Sequence, residues 1–314
     1  METLSQGKKI LVFGGTGYYG RNIVYNLIEM GRNVRVLSRD IKNARLILGE
    51  NTEIIEGDIT IKEDILKCLE GVNAIIISIS AFHRKTIRKL KEIERDSVLM
   101  VLKEASKAKI SRVVYISAYD NDPKLINFLN MLIGNIKLEI EEWLANSDLN
   151  WTVIGASPSI EIFFRMIRGK TMNVPGGGFN QIPSISPNDL GKIVAEAVVR
   201  DDLSNKRFRA TGPKAFSFPE AAEQISLITG QKIEHRKIPL FPLRMAALIT
   251  KPFNSYLWHF VKFIRLLNNF PQNIINEVPK DHSLLQETFN YKPTTIEMYA
   301  ELWKDKVSKS TNKE

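Results

Sequence analysis

Only one cysteine, Cys68, stands in the 314 residues, which excludes an internal disulfide and fits a reducing compartment. It falls in DILKCLEGV on the apolar side of an expected helix, where packing is its expected role. Histidine is nearly as scarce. His83, His235, His259 and His282 lie far apart and follow no HExxH or related ligand spacing, and one cysteine cannot complete a thiolate site, so no metal is expected. No GxSxG elbow occurs, which leaves serine-hydrolase chemistry without a foothold. No run approaches the ~18 consecutive apolar residues of a spanning helix, and METLSQGKKI has no apolar signal-peptide core. The expected location is therefore cytoplasmic. No internal repeat is present.

Positive charge, by contrast, is in excess: the net charge is +9 and the pI near 9.4. Nucleic-acid binders share such a balance because phosphate backbones reward clustered Lys and Arg. Here the cations are dispersed. In HRKTIRKLKEIERD they alternate with acids as on a solvated helix face, and no zinc finger or RNA-binding aromatic motif accompanies them. No nucleic-acid partner is expected.

With 44% of its residues hydrophobic, the chain can bury a large core. Ile10-Leu11-Val12-Phe13 suits a strand covered on both faces. Gly14, Gly17 and Gly20 follow at intervals of three, and then Ile23, Val24, Leu27 and Ile28 recur at helical spacing. A strand, a glycine turn and a helix in that order suit a diphosphate: glycine lets it approach the backbone, and the new helix offers free N–H groups and a positive dipole end. A glycine turn kept only for its geometry is the plainer alternative. A second strand at 33–37 completes a βαβ unit of roughly 30 residues, the context that favours nucleotide binding. No Gly-Lys-Ser/Thr follows, so the turn is not a kinase-type P-loop.

The alternation continues. Strands are expected from 52 to an end at Gly57-Asp58 and at 73–80, 112–117, 150–155 and 207–212, with helices at 61–69, 85–107, 127–145 and 189–199. This pattern predicts an α/β fold, a Rossmann-type doubly wound parallel sheet. Past Gly155 the regularity fades. Residues 174–186 are turn-rich, and from Phe218 onward the chain reads as helices broken by Pro239, Pro242, Pro252 and Pro271. The expected organisation is a dinucleotide-binding domain at 1–212, a smaller, mainly helical C-terminal lobe at 213–303 and a polar tail at 304–314.

GGTGYYG, the Gly57-Asp58 pair, RVVYISA, Lys137 followed by LEIEEWLANSDLNWTVIG, and ISPNDLGKIVAEAV together resemble the atypical short-chain dehydrogenase/reductases, in particular the NmrA-like and isoflavone-reductase-like NAD(P)-binding proteins. The resemblance covers most of 9–212, with a weaker echo at FNYKPTTIEMYAELW. It implies that Gly14, Thr16, Gly17 and Gly20, with Tyr18 and Tyr19, line the pyrophosphate. At the end of the second strand, where an NAD-binding protein places an acid on the ribose, this chain has Ser38 and Arg39. Arg39 can pair with a 2′-phosphate that a carboxylate would repel, so NADP(H) is favoured over NAD(H). Asp40, Lys42 and Arg45 stand close by, and an exposed loop arginine is the alternative for Arg39. By the resemblance Asp58 accepts from the adenine amino group; a turn cap is its other reading. Ser78, ending the fourth strand, lines the cofactor with its backbone.

In the wider superfamily a Tyr four residues before a Lys donates the proton, and a Ser orients the carbonyl. Lys137 fits the lysine slot, but Ile133 stands where the tyrosine belongs, and the serine slot falls at Ser117 or Ala118. Two functions follow from the resemblance. One is an NADPH-dependent reductase of a hydrophobic carbonyl or quinone-like substrate, with Lys137 as general base or proton donor, work that a lowered pKa would serve. The other is a non-catalytic NADP(H)-binding redox sensor, regulator or assembly factor, in which Lys137 only anchors the ribose. Tyr18, Tyr119 and Asp120 are stand-in acids.

The stretch 237–270 combines large apolar side chains with Arg244, Lys251, Lys262 and Arg265. It reads first as a lid over the pocket of a small hydrophobic molecule, with Phe163, Phe164, Phe241 and Trp258 as walls. The alternative is a surface that docks peripherally on a membrane or a protein complex.

Overall fold

In the computed structural model, residues 7–120 and 131–311 are described, with side chains through 304. The strands are β1 (Lys9–Phe13), β2 (Asn33–Ser38), β3 (Glu53–Glu56), β4 (Val72–Ile77), β5 (Arg112–Ala118), β6 (Trp151–Ala156), β7 (Ile167–Arg168), β8 (Thr171–Pro175), β9 (Lys206–Ala210) and β10 (Glu234–Ile238). The helices are α1 (Gly20–Glu29), α2 (Ile41–Leu48), α3 (Lys62–Leu69), α4 (Ser97–Lys107), α5 (Leu132–Ala145), α6 (Glu161–Arg165), α7 (Pro187–Val199), α8 (Phe218–Thr229), α9 (Leu240–Thr250), α10 (Tyr256–Asn268), α11 (Gln272–Thr288) and α12 (Ile296–Thr311).

The chain forms two units whose segments interleave. The first holds the described residues of Met1–Ala156, Pro187–Ala210 and Phe289–Tyr291; the second holds those of Ser157–Ser186, Thr211–Thr288 and Lys292–Glu314. A single boundary at 212 is therefore corrected. Residues 157–186 belong to the second unit, and the chain returns to the first for α7 and β9. Two contacts draw it back: β9 pairs with β6, and Gly191 of α7 lies so close to α1 that a Cβ there would meet the Asn22 carbonyl oxygen at 2.7 Å.

In the first unit the strands form a parallel sheet in the order β3-β2-β1-β4-β5-β6-β9. The expected doubly wound fold is what forms. Helices cover both faces of such a sheet, so its central strands read as continuous apolar runs. Ile10, Leu11, Val12 and Phe13 of β1 are accordingly sealed from solvent, as are Ala74–Ile77 of β4. The order reverses between β1 and β4, which opens a crevice at their carboxyl ends. Cys68 packs in the core of this unit, and burial pushes its thiol up to about 12.

Three expected elements differ. The helix at 85–107 is broken into a 3-10 turn at Ile87–Lys89, a π-turn at Glu92–Asp96 and α4. Of the apolar stripe expected there, Ile87, Leu90, Val98, Val101 and Leu102 are buried but Ile93 is only half-buried, and the wide turn carries Glu94 into the interior instead. The third strand, expected to end at Gly57-Asp58, ends at Glu56, and the chain turns over 57–60. Of the helix at 127–145, α5 is present from Leu132, and 127–130 lie outside the described residues.

The second unit carries a small sheet, β10-β8-β7, within a region read from sequence as turns and helices. Its charged strand EHRKI is mostly exposed, so no apolar alternation announced it. Ser217 caps α8 in a reciprocal capping box with Glu220, and Gly230 closes it in the left-handed conformation. The last helix, α12, runs through Thr311, across the stretch read as a polar tail.

Candidate functional site

The turn after β1 sits at the reversal of strand order. Gly14 has φ +79°, and a Cβ there would lie 2.2 Å from the Ser78 carbonyl oxygen. Ser78 N in turn donates to Phe13 O at 2.9 Å, which locks the ends of β1 and β4 together. A Cβ on Gly20 would stand 2.0 Å from Gly14 O, and one on Gly15 would strike Val36 at 2.7 Å. The fold itself requires these three glycines. Gly17 is different: it is exposed, its φ is not positive, and an added Cβ would meet one atom only, Gly14 O at 3.0 Å. The protein restrains this position less than Gly14, Gly15 or Gly20, since only the Gly14 carbonyl would have to give by a few tenths of an ångström, and the outer edge of the turn is bare. The first turn of α1 holds no acid, and no side chain caps its N-terminus. Arg21 N and Asn22 N donate to Gly17 O and Tyr19 O, and no negative side chain offsets the dipole at this end, which suits an anion. Tyr18 and Tyr19 meet edge to face at 5.0 Å, and Asn22 Nδ2 holds the loop by donating to Tyr18 O at 3.0 Å.

At the end of β2, Asp40 caps α2, its carboxylate accepting from Asn43 N at 2.9 Å. Ser38 Oγ engages the backbone of Asp40. The acid beside Arg39 is thus committed to its helix, while the Arg39 side chain is 66% exposed with Nη1 4.0 Å from Asp58 Oδ2. Asp58 Oδ1 accepts from both Thr60 N and Thr60 Oγ1 at 2.9 Å, which makes Asp58 a turn cap; Oδ2 faces Arg39.

Lys137 projects from α5 onto β5. Its Nζ donates to Ile116 O at 3.1 Å and to Tyr115 Oη at 3.4 Å, and stands 3.8 Å from Glu94 Oε2. Glu94 Oε1 accepts from Ala81 N at 2.6 Å. Burial would lower the ammonium's pKa, but Tyr115 and Glu94 outweigh burial and hold it above the usual lysine range. The lowered pKa expected of a proton-shuttling lysine is therefore corrected. Burial pushes the Tyr115 phenol up, Lys137 notwithstanding, and likewise the Glu94 carboxyl. Tyr115 and Glu94 are the two residues that sequence reasoning missed. Tyr115 was hidden inside an apolar strand; Glu94 had the look of one more surface acid in a charged helix. Ser117 shares the Tyr115 face of β5 by alternation and is buried, whereas Ala118 points the other way. Ile133, in place of a tyrosine, offers no proton.

Of the stand-in acids, Tyr119 and Asp120 are engaged by two arginines of β9, while Arg21 lies over the Tyr18 ring at 5.8 Å. Arg209 Nη1 donates to Asp120 at 3.0 Å with its guanidinium over the Tyr119 ring, and Arg207 bridges Ala118 O and Glu141. The four expected pocket walls do not come together. Phe163 packs edge to face on Phe218, and Phe164 is buried beside Tyr299 and Trp303, so both are core. Phe241 is exposed, and Trp258 is flanked by Lys251 and Lys262. None of the four lines the cavity of about 120 Å³ among Ile160, Ser184, Lys214, Phe216 and Ile296. Among the described residues no cluster of His, Cys, Asp and Glu is disposed to hold a metal ion, and no helix is long and apolar enough to cross a membrane.

Comparison with known proteins gives the family and the fold. The sequence model of the NmrA-like family matches residues 6–300. Photosystem II assembly factor Ycf39 of Trieres chinensis is 25% identical over 291 residues, covering 91% of this chain and 89% of that protein. NAD(P)H azoreductase of Xenophilus azovorans is 22% identical over 243 residues, covering 76% and 79%. Among solved structures, the NADPH complex of the NADPH-dependent quinone oxidoreductase QOR2 from Escherichia coli superposes with a TM-score of 0.69 at 14% identity, covering 94% of this chain and 99% of that one. The NADP(H) complex of Citrobacter sp. triphenylmethane reductase gives 0.69 at 16% identity, covering 93% and 99%. At these identities the solved structures establish a shared fold.

Proposed function

This chain belongs to the NmrA-like family, and from that premise we propose that it binds NADP(H) at the Gly14–Gly20 turn and serves as a reductase of a hydrophobic, quinone-like acceptor. The observation that carries the reading is the turn itself: the backbone leaves no room for a side chain at 14 and 20, and at 17 the turn presents a bare, exposed edge where a Cβ would press only on Gly14 O. Gly14, Thr16, Gly17 and Gly20 would hold the diphosphate with the N-terminus of α1. Arg39, beside an acid already spent on a helix cap, would take the 2′-phosphate. Lys137 would hold the nicotinamide ribose. NADPH, when bound, supplies the hydride.

What the chain adds is a positive charge with no donor in the tyrosine slot four residues before it; the phenol beside it, Tyr115, is held to its own proton by burial. A simple ketone becomes a strongly basic alkoxide on reduction and calls for a general acid. A quinone becomes a phenolate, whose conjugate phenol is about as acidic as tyrosine at ~10, and it can take its proton from water. A site with Lys137 charged and Ile133 in the tyrosine slot thus suits the quinone. The names of the quinone oxidoreductase and the triphenylmethane reductase similar to it point to acceptors other than simple ketones.

A second reading, a non-catalytic NADP(H)-binding sensor or assembly factor, is favoured by the same locked Lys137 and by the name of the Ycf39 relatives. The test is to titrate the protein with NADPH and NADH by fluorescence and thermal shift, then follow NADPH absorbance with quinones and with simple ketones. NADPH-selective binding, with quinone-dependent oxidation that Lys137→Ala abolishes, supports the reductase. Binding without oxidation of any acceptor supports the second reading. No binding of either nucleotide overturns both.

A further inference from the structure

The second unit presents an apolar helix face to solvent. On α9, Phe241, Met245, Leu248 and Ile249 fall at i, i+4, i+7 and i+8, one stripe of the helix, and all four are exposed: Phe241 by 71% and Ile249 by 68%. Leu243, Ala246, Ala247 and Thr250 make the opposite stripe, which turns inward where α9 packs on α10. In the turn that follows, Phe253 is 79% exposed. An apolar stripe of this size on the outside of a folded unit marks a contact surface.

Its charge is as one-sided as its polarity. From His235 to Asn276 there is no Asp or Glu, while Arg236, Lys237, Arg244, Lys251, Lys262 and Arg265 contribute six cations. Arg244 and Lys251 are exposed within the apolar stripe and at its end. Lys251, Lys262 and Arg265 crowd together: the first two flank the Trp258 ring at 4.6 and 5.3 Å, and the Lys262 ammonium is held below the usual range by burial and by its two cationic neighbours. This surface selects an anionic partner. A second copy of the chain fits poorly, because a two-fold contact would set these cations against themselves.

We propose that the outer face of α9 and the Phe253 turn seat on the surface of a lipid bilayer bearing anionic headgroups. Phe241, Ile249 and Phe253 enter the boundary of the acyl region, Arg244 and Lys251 remain at headgroup level on their flexible stems, and α9 lies in the plane of the membrane. This does not depend on the cofactor or on catalysis.

The test is co-sedimentation of the full chain with vesicles of phosphatidylcholine alone and of phosphatidylcholine with phosphatidylglycerol. Two variants accompany it, F241S/I249S/F253S and R244E/K251E; every substituted side chain is exposed. The expected result is binding to the phosphatidylglycerol vesicles only, weakened by salt and reduced on the order of tenfold or more in each variant, with thermal stability unchanged. No binding to anionic vesicles, equal binding to both vesicle types, or variants that bind like the parent would overturn the proposal. So would a dimer in gel filtration that F241S/I249S/F253S dissolves, or binding to polyglutamate in the absence of vesicle binding.

Discussion

Lys137 Nζ and Glu94 Oε2 stand 3.8 Å apart, each on a side chain almost closed off from solvent. The lysine's charge is the firmer of the two, since Ile116 O and Tyr115 Oη surround it as well; the carboxyl is pushed up by burial first and drawn back only in part by Lys137. Glu94 therefore positions the lysine rather than reacting. Glu94→Ala strips a buried cation of its counter-charge and leaves Ala81 N–H without its acceptor, and should cost about 3 kcal/mol in urea unfolding. Glu94→Gln keeps the acceptor for Ala81 and should cost about 1 kcal/mol. An alanine variant as stable as the parent would contradict this role.

Together with the buried Cys68 thiol and the Tyr299 phenol, Tyr115 and Lys137 contribute to the alkaline limit of the fold. Both have folded pKa values raised, from ordinary values of 10.0 and 10.5. A group raised in the folded state contributes stability that is whole below its unfolded pKa and is lost as pH climbs through the folded one. Stability should thus decline steadily from about pH 10 upward. Tyr115→Phe removes one of the two groups, so its melting temperature should fall less steeply with pH over that range. Parallel slopes for parent and variant would show that the phenol is not shielded as the structure has it.

The parts of this fold that a reader of the sequence could see are those where one face of an element meets the core continuously. The strand at 10–13, the glycine turn and the lysine slot at 137 all lie on the doubly wound sheet, whose buried strands leave long apolar runs. What escaped notice depends on residues far apart in the chain. Nothing local marks Glu94 as interior, because a π-turn rotated it inward, and Arg207 and Arg209 reach the end of β5 only once β9 has joined the sheet edge. The interleaving of the two units is hidden for the same reason: 157–186 looks like any turn-rich continuation of the first unit.

Arg39 and Asp40 carry opposite duties one residue apart. Arg39→Ala removes a cation from the expected 2′-phosphate position, and NADPH affinity should fall roughly 10- to 100-fold, the worth of a charge-assisted hydrogen bond, with NADH affinity unmoved. Asp40→Ala should leave the nucleotide preference alone and instead cost about 1 kcal/mol of stability as a lost helix cap. Equal losses for both nucleotides in the Arg39 variant would remove the basis for an NADP(H) preference.

The two ends of the glycine turn separate folding from binding. At Gly20 a methyl group would be driven to 2.0 Å from Gly14 O, and backbone on both sides leaves nowhere to yield. Gly20→Ala should therefore destabilise the protein by upwards of about 3 kcal/mol or prevent it from folding. At Gly17 the same methyl meets only Gly14 O, at 3.0 Å, on an exposed residue with no positive φ. Gly17→Ala should fold with a loss within about 1 kcal/mol. Its methyl would instead occupy the space a diphosphate needs against the backbone, so nucleotide binding should weaken by an order of magnitude or more while the melting temperature of the unliganded protein stays close to the parent's. Thermal shift with and without NADPH reads both quantities in one experiment. If Gly17→Ala bound NADPH as the parent does, the outer edge of the turn would not be where the phosphates sit.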